Sequence, residues 1–520
     1  MLIHRKSDSL ILQLKDPTRV TSVLPYSREV TYKGKVLTQV RFGLDEVRVL
    51  RNLGINAPSP IGTYYDWAGP FTPLDHQRKT SEFLTLNPKS ICLSSMGTGK
   101  TLSVLWSADY LMEIGKVRKA LIIGPLSTVG SVWHNEVMRH FLSKRRSVVL
   151  HGEKKRRLKL LNEDADFYII NHDGIKTIHE ELMAQNFDMV VVDEASMFRN
   201  ATSQRYKALY SLTEHSYWVW LLTGTPCSKD PTDAWALSKL IRNPDSPKYF
   251  TAFKHKVMEQ VTTYKWVPKP DAYENAYKIL QPGIRFTKDE CMDLPPVTYV
   301  PYETPLTKEQ QKAYKEMQKE LVADVSGSEI TAANAAVKLT KLLQIGCGEV
   351  YDSEGGAVTI NAKDRLTTCA QIVEGAERKV LVFVPFTAAL NQVTKYLQKE
   401  FGKRKVAQVD GSTSSTKRTQ IFDEFQFSDH PTVLVAHPQV ASHGLTLTAA
   451  DTTVWYAPVF SLETYEQANN RMDRPGQNYH MTVAKIYSTE VERRVYEALD
   501  TKSAMQQCVL TLYKEQLGVD

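Results

Sequence analysis

Residues 94–101 read Ser-Ser-Met-Gly-Thr-Gly-Lys-Thr and run straight into the apolar stretch LSVLW. Two glycines ahead of an ammonium and a hydroxyl are the parts of a phosphate cradle. A strand that ends here and a helix that begins here would aim backbone N–H groups and a positive helix end at phosphate oxygens. Gly97 and Gly99, set among Met96 and Thr98, allow close approach of the backbone, Lys100 reaches the β- and γ-phosphates, and Thr101 offers its hydroxyl to Mg²⁺. A second group, MVVVDEAS over 189–196, sets Asp193 and Glu194 at the carboxyl end of an apolar run, the edge where ligands sit in open α/β sheets. Asp193 is assigned to the Mg²⁺ shell, and Glu194 to orienting or deprotonating the attacking water. A third, QANNRMDRPGQ over 467–477, spaces Arg471 and Arg474 three residues apart, as on one face of a helix. Arginines so spaced are usually solvated, but in a two-lobe nucleotide hydrolase they reach across the interlobe cleft and stabilise charge on the transferring phosphate.

Residues of this kind need strands that stop, and helices that start, at fixed places. From about residue 90, buried-strand runs (SICLSS, KALIIGP, ADFYIINH, FDMVVVDEA, YWVWLLTGTP) alternate with amphipathic helical stretches, the pattern of a parallel sheet covered on both faces. A charged, more helical region spans roughly 230–345, followed by a hairpin or loop at EVYDSEGGAVTI. Alternation then resumes with KVLVFVPF, KVAQVDG, TVLVAH and TTVWYAP, and a last helical stretch runs to about residue 500. The expected fold class is α/β, with two parallel-sheet lobes and a helical segment between them. Residues 1–50 alternate apolar and polar positions and suggest a short, basic, β-rich module, which a proline-rich connector over 56–73 joins to the first lobe. The 520 residues suffice for two cores, and their net charge of +7 permits a polyanionic partner without requiring one. The six cysteines form no Cys-x-x-Cys pair and sit near no paired histidines, which argues against a disulfide framework and a zinc site. No apolar run has bilayer length and MLIHRKSDSL lacks a signal-peptide pattern, so a cytoplasmic protein without a membrane partner is expected.

Over about residues 71–500 the chain resembles the superfamily-two helicases and, within them, the Swi/Snf-like DNA-dependent ATPases. PLDHQRKTSEFL resembles the segment in which Gln77 recognises adenine, and SSMGTGKT and VVVDEAS resemble motifs I and II. LIIGPLSTVGSVWHNEV resembles motif Ia, with Ser127 placed to touch a phosphate and Trp133 read as packing. IINHDGIK resembles motif Ib at Asn171 and His172, and LLTGTP resembles motif III, in which Thr223 and Thr225 link the ATP and nucleic-acid sites. FRNATSQRYKAL after motif II and DECMDLPPVTYVPYETPLTKEQQKAY between the lobes are similar to the Swi/Snf group in particular. In the second lobe KVLVFVPFTAAL, VDGSTSSTKR and ASHGLTLTAADTTVWY resemble the remaining motifs. The resemblance transfers strand-backbone contacts or ATP coupling to Gly411, Ser412, Thr413, Ser442, Gly444 and Thr446, with Gly444 counted among the nucleotide residues. The chain departs from the usual spelling at Ser94, Ser196, His443 and Asp473.

What the resemblance implies is two RecA-like lobes and an ATP- and Mg²⁺-dependent motor on the DNA backbone, salt-sensitive and without sequence preference. The implied division is an N-terminal module over 1–70, lobe 1 over 71–290, an interlobe segment over 291–370, lobe 2 over 371–500 and a tail over 501–520. The leading expectation is a translocase, DNA-bound in nucleoid or nucleus, that remodels duplex or branched DNA or displaces proteins in repair, recombination or replication. The alternatives are a strand-separating helicase on DNA or RNA, and a nucleotide-switched binding protein acting on a partner such as RNA polymerase. The N-terminal module and its connector resemble the substrate-recognition appendage of annealing-type relatives, although a hairpin that simply covers a lobe would read the same. Lys144-Arg145-Arg146 and Lys154-Lys155-Arg156-Arg157 read first as solvated faces and second as an auxiliary DNA groove. Tyr64, Tyr65 and Trp67 read as packed, with base stacking as the alternative.

Overall fold

The computed structural model describes residues 1–520 apart from 5–6, 33, 228–229, 263–265, 292–293, 324–331, 352–355, 442–445, 475, 502–511 and 513–520. Contacts divide the chain into two units, Met1–Cys291 and Met292–Asp520.

The first unit opens with an antiparallel sheet of β1 (Leu2–His4), β2 (Ser9–Leu12), β3 (Arg28–Tyr32) and β4 (Lys35–Arg41), in the order β1-β2-β4-β3. Leu10, Leu12 and Val40 of this sheet join Val104 and Trp106 in one continuous core, so the N-terminal segment covers a lobe. The main sheet takes β5 (Lys89–Cys92), β6 (Ala120–Gly124), β7 (Ser147–Val149), β8 (Phe167–Asn171), β9 (Met189–Val192), β10 (Trp218–Leu222) and the short β13 (Gly283–Ile284). Their order is β13-β5-β10-β9-β6-β8-β7, and every pair is parallel. Both faces of the sheet are covered, which is why β6, β9 and β10 read as unbroken apolar runs and not as alternation. A small hairpin, β11 (Met258–Gln260) with β12 (Trp266–Pro268), lies between β10 and β13 in the chain.

The second unit is built on β14 (Val297–Glu303), β17 (Lys379–Phe383), β18 (Val406–Val409), β19 (Val433–Ala436), β20 (Ala450–Trp455) and β21 (Met481–Tyr487), all parallel in the order β14-β21-β20-β17-β19-β18. Of the hairpin or loop expected at EVYDSEGGAVTI, the structure has the antiparallel pair β15 (Glu349–Tyr351) and β16 (Ala357–Thr359). Two expectations are corrected here. MTVAKIY is a buried strand inside the stretch read as helical to residue 500; the helix that follows is Glu490–Asp500. The VTYVPYE segment of the expected interlobe connection is the edge strand β14 of the second sheet. Arg365 and Glu492, both fully buried, pair at 2.7 Å and tie the helix Lys363–Gly375 to the helix Glu490–Asp500. The two carry opposite charges out of water together, and neither is tolerable alone.

Candidate functional site

The nucleotide loop leaves β5 and enters the helix Lys100–Glu113 through Gly97 at φ 81° and Gly99 at φ 74°, left-handed conformations that glycine adopts without strain. A Cβ on Gly99 would also stand 2.0 Å from Gln77 Nε2, so a larger residue there would displace the Gln77 amide. The expected adenine reader Gln77 is buried beside this loop, and its Oε1 accepts the Leu74 N–H at 2.9 Å at the start of the helix Asp75–Leu86. Its neighbour His76, not anticipated from the sequence, donates from Nε2 to the Thr98 carbonyl at 2.8 Å. Thr98 also donates from Oγ1 to the Ser95 carbonyl at 2.9 Å. Lys100 Nζ lies across the loop, donating to the Ser94 and Ser95 carbonyls at 2.8 and 2.9 Å. An ammonium that rests on two neutral carbonyls at a glycine-bracketed turn is free to exchange them for phosphate oxygens.

Ser94, where the usual pattern has glycine or alanine, has a local reason. Its Oγ accepts the Phe286 N–H at 3.1 Å, while Ser95 N–H donates to the Phe286 carbonyl at 2.9 Å. The Phe286 ring lies 6.0 Å from His76. The nucleotide loop is thereby fastened to the backbone that continues β13. The LLTGTP turn follows β10, the strand between β5 and β9, and a Cβ on Gly224 would lie 3.5 Å from the Ser94 carbonyl and 3.8 Å from Met96 N. Thr223 Oγ1 accepts the Thr225 N–H at 3.1 Å inside that turn.

Asp193 follows β9, with its backbone N–H on the Ile123 carbonyl of β6 at 2.8 Å. Burial pushes its carboxyl above the ordinary carboxylate range, against the pull of a hydrogen bond from Trp133, the Lys100 charge and the Glu194 N–H. Its carboxylate oxygens are hard donors, the kind that suits a Mg²⁺ ion keeping water and phosphate as its other ligands. Glu194 takes φ 49°, an uncommon conformation for a residue with a side chain and one that strained functional sites retain. His172 is buried, donates from Nε2 to the Asp193 carbonyl at 2.8 Å and packs edge-on to Phe198 at 5.1 Å. Asn171 Oδ1 accepts from Arg157 at 3.2 Å. This pair, expected on a nucleic-acid strand, is engaged with the site's own framework. The side chain of Ser127, in the turn Leu126–Thr128, lies outside what is described.

In the second unit the helix Leu462–Asn469 ends before the two arginines, which corrects their expected helical placement: Met472 is drawn into the core beyond the helix end. Arg471 is buried and donates from Nε to the Gln467 carbonyl at 3.1 Å. Arg474 donates from Nε to the Asn470 carbonyl at 3.0 Å and from a guanidinium N–H to Thr446 Oγ1 at 3.3 Å, which brings two of the expected residues together. Ser442 and Gly444 fall outside the described residues, as does His443. Gly411 and Ser412 are exposed in the loop after β18, where Asp410 organises the turn. Its Oδ1 accepts from Ser412 N and Oγ at 2.9 and 2.6 Å and from Thr413 Oγ1 at 3.3 Å.

The first basic run is ion-paired throughout, Lys144 with Glu113, Arg145 with Asp109 and Asp166, and Arg146 with Glu163; in the second, Lys154 pairs with Glu181. Of the connector aromatics, Tyr65 and Trp67 pack, whereas Tyr64 is exposed. Tyr65 donates to Asp109 Oδ2 at 2.7 Å, and Trp67 meets Trp106 edge-on at 5.4 Å. No helix among the described residues is long and apolar enough to cross a membrane.

Comparison with known proteins matches residues 76–348 to the SNF2-related domain and residues 364–476 to the helicase conserved C-terminal domain. Among curated relatives, the ISWI chromatin-remodeling complex ATPase ISW1 of Saccharomyces cerevisiae is 24% identical over 450 residues, 81% of this chain and 38% of its own length. The SWI/SNF-related matrix-associated actin-dependent regulator of chromatin subfamily A-like protein 1 of Xenopus laevis is 26% identical over 408 residues, 75% of this chain and 39% of its own. Protein p41 of Acyrthosiphon pisum secondary endosymbiont phage 1 is 25% identical over 479 residues, 86% of this chain and 99% of its own. The chain thus spans well under half the length of the yeast and frog relatives.

Proposed function

The chain belongs to the SNF2-related family, and from that premise we propose that it is a DNA-dependent ATPase that moves along DNA. The observation that carries the reading is the convergence of three loops at the carboxyl ends of the adjacent strands β5, β10 and β9: the glycine-bracketed Lys100 loop, the Thr223–Thr225 turn and Asp193. Backbone N–H groups and Lys100 bind and orient the triphosphate, and Gln77 stands beside the loop for the base. Glu194 holds the attacking water and takes its proton. Mg²⁺, held by Thr101, Asp193 and the phosphates, would neutralise charge on the transferring group. Arg471 and Arg474 have the part of stabilising charge on that group during the cycle. The exposed backbone of Gly411 and Ser412, together with Thr446, has the part of meeting DNA phosphates, which gives affinity without sequence preference.

The substrate proposed is duplex or branched DNA, and the setting repair, recombination or replication. The test is the ATPase rate with no nucleic acid, single strands, blunt duplexes, forks and four-way junctions. Stimulation by duplex or branched DNA is the expected result, and no stimulation by any DNA would overturn the reading. Displacement of a triplex-forming strand from a blunt duplex, without unwinding of a tailed one, separates translocation from strand separation.

A further inference from the structure

The Asp193 carboxylate is held from two sides. Its Oδ2 accepts the indole N–H of Trp133 at 2.9 Å, and its Oδ1 accepts the Glu194 N–H at 3.1 Å. Trp133 is fully buried, so packing alone would account for its ring. Its N–H is different. Three other tryptophans of the first unit, Trp106, Trp220 and Trp235, donate to backbone carbonyls, those of Ala68, Asn87 and Pro247. A carbonyl is the easy partner for a buried indole, since it brings no charge to desolvate. Trp133 instead donates to Asp193, the carboxylate that the proposed chemistry gives to Mg²⁺.

The backbone delivers it there. The turn Val129–His134 that carries Trp133 is π-helical, a rare form in which one extra residue per turn re-aims the side chains and which concentrates at functional sites. The end of β6 runs beside the pair: a Cβ on Gly124 would stand at ordinary contact distance from both, 3.7 Å from the Trp133 indole nitrogen and 3.6 Å from Asp193 Cβ.

We propose that Trp133 is a positioning residue for the metal ligand Asp193. By engaging Oδ2 it sets the rotation of the carboxylate, so that the ligand is ordered before the metal–nucleotide complex arrives; outer partners of metal ligands act in this way. The proposal rests on the ATPase reading above and adds a residue that touches neither nucleotide nor metal.

The test removes the N–H and keeps the ring. Full-length protein is prepared as Trp133→Phe and, separately, with benzothienylalanine incorporated at position 133, a near-isostere that lacks only the donor. Binding of a fluorescent ATP analogue is measured in EDTA and across a Mg²⁺ series, alongside the Mg²⁺ concentration for half-maximal hydrolysis and the melting temperature. The expected result is unchanged nucleotide affinity in EDTA, a smaller gain on adding Mg²⁺, and a Mg²⁺ requirement raised about tenfold or more. An unaltered Mg²⁺ response in the benzothienylalanine protein overturns the proposal. So does an equal loss of nucleotide affinity with and without Mg²⁺, which marks a packing role. Absence of hydrolysis in the parent protein would sink the ATPase reading itself; a normal parent with unaltered variants removes the Trp133 assignment alone.

Discussion

Two aspartates stand one residue past parallel strands, Asp193 after β9 in the first unit and Asp410 after β18 in the second, and their surroundings push them in opposite directions. Asp410 is surrounded by donors from its own loop: hydrogen bonds from Ser412, then Gln408 and Thr413, hold its carboxyl below the ordinary range against the effect of burial. Asp193 sits above that range, because burial outweighs the help of Trp133, Lys100 and Glu194. One charge is satisfied by local structure and shapes a loop. The other is left in want of a cation, which is the condition expected of a metal ligand.

The comparison can be broken at several points. The largest effect is expected from Lys100→Ala, which should lower ATP turnover by at least about 100-fold while DNA affinity in a gel-shift assay persists. Asp410→Ala is the counterpart: basal turnover should hold, and DNA affinity and DNA stimulation should fall as the Gly411–Thr413 loop loosens. Equal loss of basal turnover in both variants would erase the division of labour between the Lys100 loop and the Asp410 loop.

Next in size is the buried Arg365–Glu492 pair. Glu492→Gln should cost about 3–5 kcal/mol in urea unfolding, since it strands a buried guanidinium. Asp166→Asn, at the partly solvated Arg145, should cost far less.

The two aspartates also predict opposite pH behaviour. The Asp410 carboxyl, lowered in the folded state, contributes stability above its unfolded pKa that is lost as pH falls through the folded value. The Asp193 carboxyl, raised in the folded state, favours folding below its unfolded pKa, and that advantage is lost as pH rises through the folded value. Asp193→Asn should therefore raise the melting temperature of nucleotide-free protein at neutral pH, by about 1–2 °C per kcal/mol relieved in a unit of this size, and abolish turnover. Asp410→Asn should lower it. The smallest effect is expected from Ser94→Ala, roughly 1 kcal/mol from the unmet Phe286 N–H; a change in nucleotide affinity larger than the change in stability would show that the Phe286 tie serves the loop.

Much of the candidate site was legible in one dimension because its residues are contiguous: a loop proposed to bind phosphate keeps its glycines, lysine and threonine in a row. The residues that escaped reading act at a distance. His76 was visible only as a neighbour of Gln77, Phe286 lies 192 positions beyond the serine it meets, and Trp133 was read as packing because nothing in GSVWHNEV reveals where an indole N–H points. Among strands, β14 and β21 were missed although their apolar content was available: β14 bears proline and exposed positions as an edge strand, and β21 lies next to a helix with a stronger pattern.

By itself the sequence determined the α/β class, most of the strands and the order of the contiguous motifs, since backbone propensity, buried-run length and glycine placement act over a few residues. Tertiary structure alone decided which charges are paired, that the N-terminal sheet shares the core of the first unit, that His172 faces the Asp193 carbonyl, and that an indole and a carboxylate 60 positions apart meet. Such meetings are properties of a packed sheet, whose neighbouring strand ends are adjacent in space whatever their separation along the chain.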